Sequence, residues 1–378
     1  MKHTFNFPTP IRFGAGVVHE LAAYLKGQGL TRPLLSTDPN VAKLEFFASI
    51  RQELEAAGLS VEVFSDIQAN PVKSDVLRGG DVYTETQRDC IVGIGGGAAM
   101  DVARSIGLRI FHRRDLFDYD DLIGGDKYVT EEVPPMVMIP TTSGTGSEVG
   151  RSAIISEDES KKKRILFAPK LMAQQVFADP ELTYGLPPHI TAATGMDALT
   201  HNMEAFLAKN YHPMADGLAL EGIRLIVGAI ESATHDPTSQ SRADMLLGSL
   251  IGAVAFQKGL GVVHSLAHPL STLLDMHHGL ANAINLPYGM KFNLPGLEDR
   301  FERMARAMQL AQANGTAVIE RLFSLNQSLH IPLKLREAGV KEEHLDPLAD
   351  LAIQDFAHPN NPKPVSRDDF RRLYQEAW

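Results

Sequence analysis

The stretch "GMDALTHNMEAF" (Gly195–Phe206) places Asp197 four residues ahead of His201. On a helix that interval stacks a carboxylate and an imidazole on one face. Further along, "GVVHSLAHPLSTLLDMHHGLANA" gathers His264, His268, His277 and His278. His264 and His268 repeat the helical interval, and His277–His278 stand at a glycine. Neutral imidazoles with a distant carboxylate suit a divalent transition metal. Taken alone, the Asp197–His201 interval reads mostly as a structural polar pair, and an exposed helix end explains any one pair of the histidines. Together they favour a metal site.

The first half of the chain holds residues suited to another task. In "CIVGIGGGAAMD" a buried strand runs into Gly95, Gly96 and Gly97, and a helix is expected from Ala98 or Ala99. Glycines let the backbone approach a ligand closely, and the free N–H groups of a helix start favour an anion. The spacing is not the six-residue dinucleotide fingerprint, and a plain strand–helix turn explains it as well. "PTTSGTGSEVGR" (Pro140–Arg151) follows the next strand with the hydroxyls and glycines of a loop facing a polar ligand. Asp38 closes the expected strand "PLLSTD", where a carboxylate accepts from a ribose diol and repels a 2′-phosphate. Capping and turns use the same residue types. Three such features at successive strand ends favour a nucleotide, because ligands gather at that edge of an open α/β sheet.

The elements that must carry these residues change character along the chain. Up to about residue 182, short apolar runs alternate with helical segments, near Ala42–Ala57 and Ser74–Arg88 among others. Such alternation implies a parallel sheet with helices on both faces. After "FADPEL" the spacing of apolar residues turns helical, as in "DGLALEGIRLIVGAIESA". "LTYGLPP" breaks any continuing element, so the boundary is expected near Leu182–Pro188. A length of 378 residues fits two domains. Hydrophobic content of 44% and charged content of 22% are those of a globular chain. A net charge of -10 offers no general attraction to nucleic acid or anionic membrane, so neither is an expected partner. The single cysteine, Cys90, rules out an internal disulfide framework. The N-terminal stretch "MKHTFNFPTPIRFGAG" has no apolar signal core, and the cytoplasm is the expected location.

The chain resembles the iron-containing, or group III, alcohol dehydrogenase family over essentially its whole length. The glycine loop, "PTTSGTGSE", "DPEL", "GMDALTH", the H-x-x-x-H segment and "HHGLANAINLP" occur in the family's order. The resemblance implies an α/β dinucleotide-binding domain with a parallel sheet over residues 1–182. It also implies an all-α metal- and substrate-binding domain over residues 183–378, in the dehydroquinate synthase-like fold, with a cleft between the two. Asp197, His201, His264 and His278 match the family's metal ligands. Iron(II) is the expected ion, although zinc or another divalent transition metal suits the same donors. His268 matches the histidine near the nicotinamide and is the candidate for relaying a proton. Gly96 and Gly97 match the pyrophosphate loop, and Thr141 and Thr142 match cofactor-contacting threonines. Asn70, Lys163 and Leu182 also fall at positions near the cofactor.

The activity so implied is NAD-dependent interconversion of a small primary alcohol or hydroxy acid and its aldehyde, in a homodimer or larger homo-oligomer. The alternatives are a metal- and NAD-dependent synthase of the dehydroquinate synthase type and a lactaldehyde or other short-chain aldehyde reductase. Two departures bear on this. Ala98 stands where the family usually has serine, which removes one phosphate hydrogen bond. "AFQKGLGVVH" (Ala255–His264) is one residue shorter than the commonest version beside the substrate pocket. "AFQKGLG", "HHG" and "NNPKPVSRDDF" look most like the branch of NAD-dependent 4-hydroxybutyrate dehydrogenases. In that branch Arg151 or Lys258 becomes a candidate partner of a substrate carboxylate, the alternative being a solvated surface charge.

Overall fold

A computed structural model describes residues 9–378; residues 1–8, part of the stretch read above for a signal core, lie outside the described residues. The strands are β1 (Ile11–Phe13), β2 (Pro33–Ser36), β3 (Glu62–Phe64), β4 (Cys90–Gly95), β5 (Met136–Pro140), β6 (Ser152–Ser156), β7 (Lys163–Phe167) and β8 (Gln175–Ala178). Six of them form one sheet in the order β1-β8-β5-β4-β2-β3, parallel at every pairing. Strands β4 and β5 are buried along their whole length. Continuous apolar runs are what a sheet covered on both faces requires.

Alternation assigns the two faces. Val92, Ile94, Val137 and Ile139 pack with Leu21 and Leu25 of α1 (Leu21–Gly27) and with Ile50 and Leu54 of α2 (Glu45–Ala56). The helix α3 (Lys73–Glu85) precedes β4, and α4 (Gly97–Phe111) follows it. Gly107 of α4 lies against Met136 and Ile91, whose side chains point the other way. Each fully buried Leu or Ile contributes roughly 1.5–3 kcal/mol, so these two apolar layers hold the sheet in place.

Several local expectations shift. The strand read as "PLLSTD" ends at Ser36, because Asp38 opens a turn by accepting from the Asn40 and Val41 amides at 2.9 and 3.1 Å. That turn runs into a short 3-10 segment, Val41–Lys43, and delays α2 to Glu45. The helix after the glycines starts at Gly97, not at Ala98 or Ala99. The antiparallel hairpin of β6 and β7 has no counterpart in the sequence reading.

The second compact unit comprises Gly185–Trp378 together with Ser143–Thr145; the sheet unit runs to Thr142 and includes Gly146–Tyr184. Its helices are α5 (Pro188–Leu207), α6 (Pro213–His235), α7 (Ser239–Ala255), α8 (Val262–Leu274), α9 (His278–Asn293), α10 (Glu298–Ala307), α11 (Gly315–Ser328), α12 (Leu345–Ala352) and α13 (Arg367–Ala377). Proline at the first turn starts α5 and α6, where a missing N–H costs nothing. Capping boxes at Thr238 and Ser366 start α7 and α13. Helix α5 packs against α6, α7 and α9, and sixteen of its twenty residues are buried. A helix so enclosed bears a cost for each polar atom left unpaired, and α5 carries Asp197, His201 and Glu204.

Candidate functional site

Those polar side chains find partners on α8 and α9. Asp197 Oδ1 lies 3.8 Å from Nε2 of His201, 3.8 Å from Nε2 of His264 and 3.5 Å from Nε2 of His278. Ligand atoms of Asp197, His201 and His264 all fall within 4.8 Å of one another, and these three residues are buried. The rings of His201 and His264 stack at 4.8 Å with 17° between their planes. Three imidazole nitrogens around one carboxylate oxygen are the donor set of a first-row divalent ion, so the residues present fit such a group.

Burial pushes the Asp197 carboxyl up, but the charges of His201, His278 and His264 and the Asn282 amide outweigh it and hold it at about 2. His264 sits well below the usual histidine value, chiefly through burial and then through the charge of His201. Both shifts favour the forms that bind a cation, carboxylate and neutral imidazole. Asn282 is central here: its Nδ2 donates to Asp197 Oδ1 at 2.7 Å and lies 3.1 and 3.3 Å from Nε2 of His278 and His264.

The approach of α9 to α5 depends on a residue without a side chain. A Cβ on Gly279 would fall 2.3 Å from the carbonyl oxygen of Ala193. Glycine there lets the start of α9, and with it His278, come against α5. His277, one residue earlier, is exposed.

His268 lies one turn along α8 from His264. Its ring stacks on His278 at 5.3 Å and 13°, and on Phe356 at 5.3 Å and 27°. Nδ1 is 2.7 Å from Asp355 Oδ2. Burial raises the Asp355 carboxyl, yet the charge and hydrogen bond of His268, the Ser265 hydroxyl and the Ala357 amide bring it to about 2. A carboxylate at Nδ1 draws the imidazole proton there and leaves Nε2 as the acceptor. The flank of the cluster is aromatic as well, with Phe256 5.0 Å from the His201 ring.

In the sheet unit the expected cofactor residues gather at the carboxyl edge of the strands. Asp38 follows β2, Asn70 follows β3, Gly96 and Gly97 follow β4, Thr141 and Thr142 follow β5, and Leu182 follows β8. Gly95 has φ +148° and would bring a Cβ to 2.7 Å from Ala99 and 3.5 Å from Asp38 Oδ2. Only glycine makes that turn, and it leaves Asp38 facing the loop. The N-terminal amides of α4 receive no side-chain cap. A Cβ on Gly96 would stand 3.4 Å from Thr142, so the two expected loops are neighbours. The Thr141 amide donates to the Gly95 carbonyl at 3.0 Å. Lys163 pairs with Ser156 across the hairpin, and Val72, two residues after Asn70, bridges to the same Ser156. The helix amides without a side-chain cap and the open glycine backbone fit a bound phosphate.

The two candidates for a substrate carboxylate separate. Lys258 is buried, its Nζ donating to the Phe206 carbonyl at 2.8 Å and pairing with Asp216. It is neither solvated nor available to a substrate, which corrects both readings of it. Arg151 is half-buried, with its guanidinium 5.5 Å from the centre of the Phe167 ring.

Residues that escaped the motifs also contribute. Glu204 falls seven positions after Asp197, on the same helix face, and Asn282 four after His278. An acid in the apolar run "MEAFL" was the available signal for the first. Asp355 reaches His268 from 87 residues away and leaves no local signal.

Two family descriptions match the chain: "Iron-containing alcohol dehydrogenase" over residues 8–180 and "Fe-containing alcohol dehydrogenase family, C-terminal" over residues 191–378. A 4-hydroxybutyrate dehydrogenase of Cupriavidus necator is 38% identical, with 98% of each chain covered. Lactaldehyde reductase of Escherichia coli (strain K12) is 32% identical, with 97% of each chain covered. Among solved structures, a 1,3-propanediol oxidoreductase superposes with a TM-score of 0.94 at 32% identity, covering 100% of both chains. A sulfoacetaldehyde reductase of Bifidobacterium kashiwanohense in complex with NAD+ gives 0.90 at 25% identity, covering 100% of this chain and 99% of that one. The chain belongs to the iron-containing alcohol dehydrogenase family and is an enzyme of that class.

Proposed function

We propose that this enzyme interconverts a small primary alcohol or hydroxy acid and its aldehyde with NAD(H), using a divalent metal, iron(II) in the first instance. The observation that carries the reading is the convergence of three histidine Nε2 atoms on Asp197 Oδ1. Asp197, His201, His264 and His278 would hold the metal, in the domain assigned to residues 183–378. When bound, such an ion supplies Lewis-acid polarisation of an alcohol or aldehyde oxygen. NAD supplies the hydride acceptor. Residues 1–182 are assigned to the nucleotide. There Gly96, Gly97 and the α4 amides hold phosphate, Asp38 takes the ribose diol, and Asn70, Thr141, Thr142, Lys163 and Leu182 complete the contacts.

His268 accepts the proton at Nε2, with Asp355 holding Nδ1–H, and Phe256 and Phe356 keep that side of the cluster apolar. The 4-hydroxybutyrate/succinate semialdehyde pair is the first substrate to try, supported by the Cupriavidus relative. With Lys258 withdrawn, Arg151 is the remaining candidate for its carboxylate. Assembly as a homodimer or larger homo-oligomer belongs to the same reading and is measured by light scattering.

The test mixes full-length protein, iron(II) and NAD with simple alcohols, diols and 4-hydroxybutyrate. Net NADH formation that depends on both metal and substrate supports a dehydrogenase. Product without net NADH indicates a synthase, and no product with any member of the panel counts against the proposal.

A further inference from the structure

Glu204 is the most heavily engaged buried carboxylate of the helical unit. It accepts the backbone amides of Gly261, Val263 and His264 at 3.0, 2.6 and 3.3 Å. Nδ1 of His264 lies 2.7 Å from its Oε2. The side chains of both residues are 1% exposed. The N-cap of α8 is Gly261, which has no side chain to cap the helix, so Glu204 of α5 replaces the missing cap. The same carboxylate therefore sets where α8 begins and how the imidazole on its first turn is turned.

The arrangement differs among the histidines around Asp197. His201, on the same helix as Glu204, has a buried Nδ1 without a hydrogen-bond partner among the described residues, whereas His264 has a dedicated carboxylate. A proton held on His264 Nδ1 commits Nε2 to the lone-pair form, and that Nε2 is the atom 3.8 Å from Asp197 Oδ1.

We propose that Glu204 is a positioning residue of the metal site: accepting His264 Nδ1–H while anchoring the first amides of α8, it fixes the tautomer and direction of the His264 ring. The proposal rests on the reading of Asp197, His201, His264 and His278 as a metal site. Glu204 touches no ligand atom facing Asp197; it acts through His264.

Titration of the chelator-stripped, full-length protein with cobalt(II), followed by calorimetry and visible absorption, separates the possibilities. The wild type is expected to bind one equivalent with a ligand-field spectrum of low symmetry. Glu204→Gln keeps the shape but turns an amide N–H2 toward donors, and it should bind cobalt about 10–100-fold more weakly, with a changed spectrum. Glu204→Asp keeps the charge with a shorter reach, and it should lie between the two. If Glu204→Gln does not fold, the aspartate variant carries the same comparison. Affinity and spectrum equal to wild type in a folded variant, with only the thermal midpoint lowered, mean a purely structural cap and overturn the proposal. If the wild type itself binds no cobalt, the metal site falls, and this inference with it.

Discussion

Asp197 and Glu148 are both buried carboxylates in segments expected to serve the reaction, and their acidities diverge. Asp197, among imidazoles and the Asn282 amide, is held at about 2 against the push of burial. Glu148, in the hydroxyl-rich loop of the sheet unit, is raised by burial to about 7, because its own backbone amide and Arg104 answer only part of the cost. One of its oxygens is buried without a hydrogen-bond partner among the described residues. The difference lies in the immediate surroundings of each group, since Glu204, also buried in the helical unit, is raised by burial to about 7. The helical cluster is made of side chains that favour a charge among them. The strand edge offers backbone amides and glycines, which favour an anion at the start of α4, whereas the buried Glu148 carboxylate recovers only part of what burial costs it. A cation suits the first and a phosphate the second.

The largest effect should come from breaking the charged cluster. Asp197→Ala or His278→Ala is expected to reduce bound metal greatly and bring turnover to background while the sheet unit stays folded. Elemental analysis and circular dichroism check this, and undiminished metal in both variants would sink the assignment. Next comes His268→Ala, expected to keep its metal and lose about 10²–10⁴-fold in kcat, the usual worth of acid–base assistance. An unchanged rate in folded, metal-loaded enzyme removes His268 from the proton path.

The strand edge should respond more mildly. With an ordinary value of 4.5 and a folded value of about 7, Glu148 keeps its proton in the folded chain after the unfolded chain has released it. The stability so gained is complete below pH 4.5 and is lost as pH rises through 7. Glu148→Gln should therefore resist the change from about pH 5 to about pH 8 better than wild type, by on the order of 2 kcal/mol. Denaturant titrations at both pH values measure it, and parallel losses in the two proteins refute it. The smallest effect concerns Asp38. Asp38→Asn keeps an oxygen for the turn amides while removing the charge, and it should narrow the kcat/KM gap between NAD and NADP by about tenfold, or ~1.4 kcal/mol. Equal use of both cofactors by the wild type would contradict the assigned role.

What the chain discloses in advance follows the same division. Asp197 with His201, and His264 with His268, are legible as pairs because helical periodicity converts a four-residue interval into a shared face. The choice of ligands among them rests on the family resemblance. The glycine turn after β4 is legible as a turn, but its use for a ligand shows only beside Asp38 and the hydroxyl-rich loop at neighbouring strand ends. The hairpin of β6 and β7 escapes such a reading because the charged residues of "EDESKKKR" fill its turn and run into the start of β7. The surroundings of Lys258 are illegible for a different reason. Its charge was visible, but its partner Asp216 lies 42 residues earlier on α6, and only packing brings them together. Asp355 and the role of Glu204 were hidden likewise, since each acts on a histidine far away in sequence. Periodicity reports which face a residue is on, but not what the face meets.

Gly279 has a consequence for how such a motif persists. The clearance of 2.3 Å to the Ala193 carbonyl means that even one methyl group at this position must push two helix backbones apart. A chain could keep Asp197, His201, His264 and His278 unaltered, change only this glycine, and lose the spacing among them. In such a descendant every chemically active letter would read as intact. The residue to inspect first, in deciding whether a divergent relative has kept the site, is therefore the one with nothing to contribute to the chemistry.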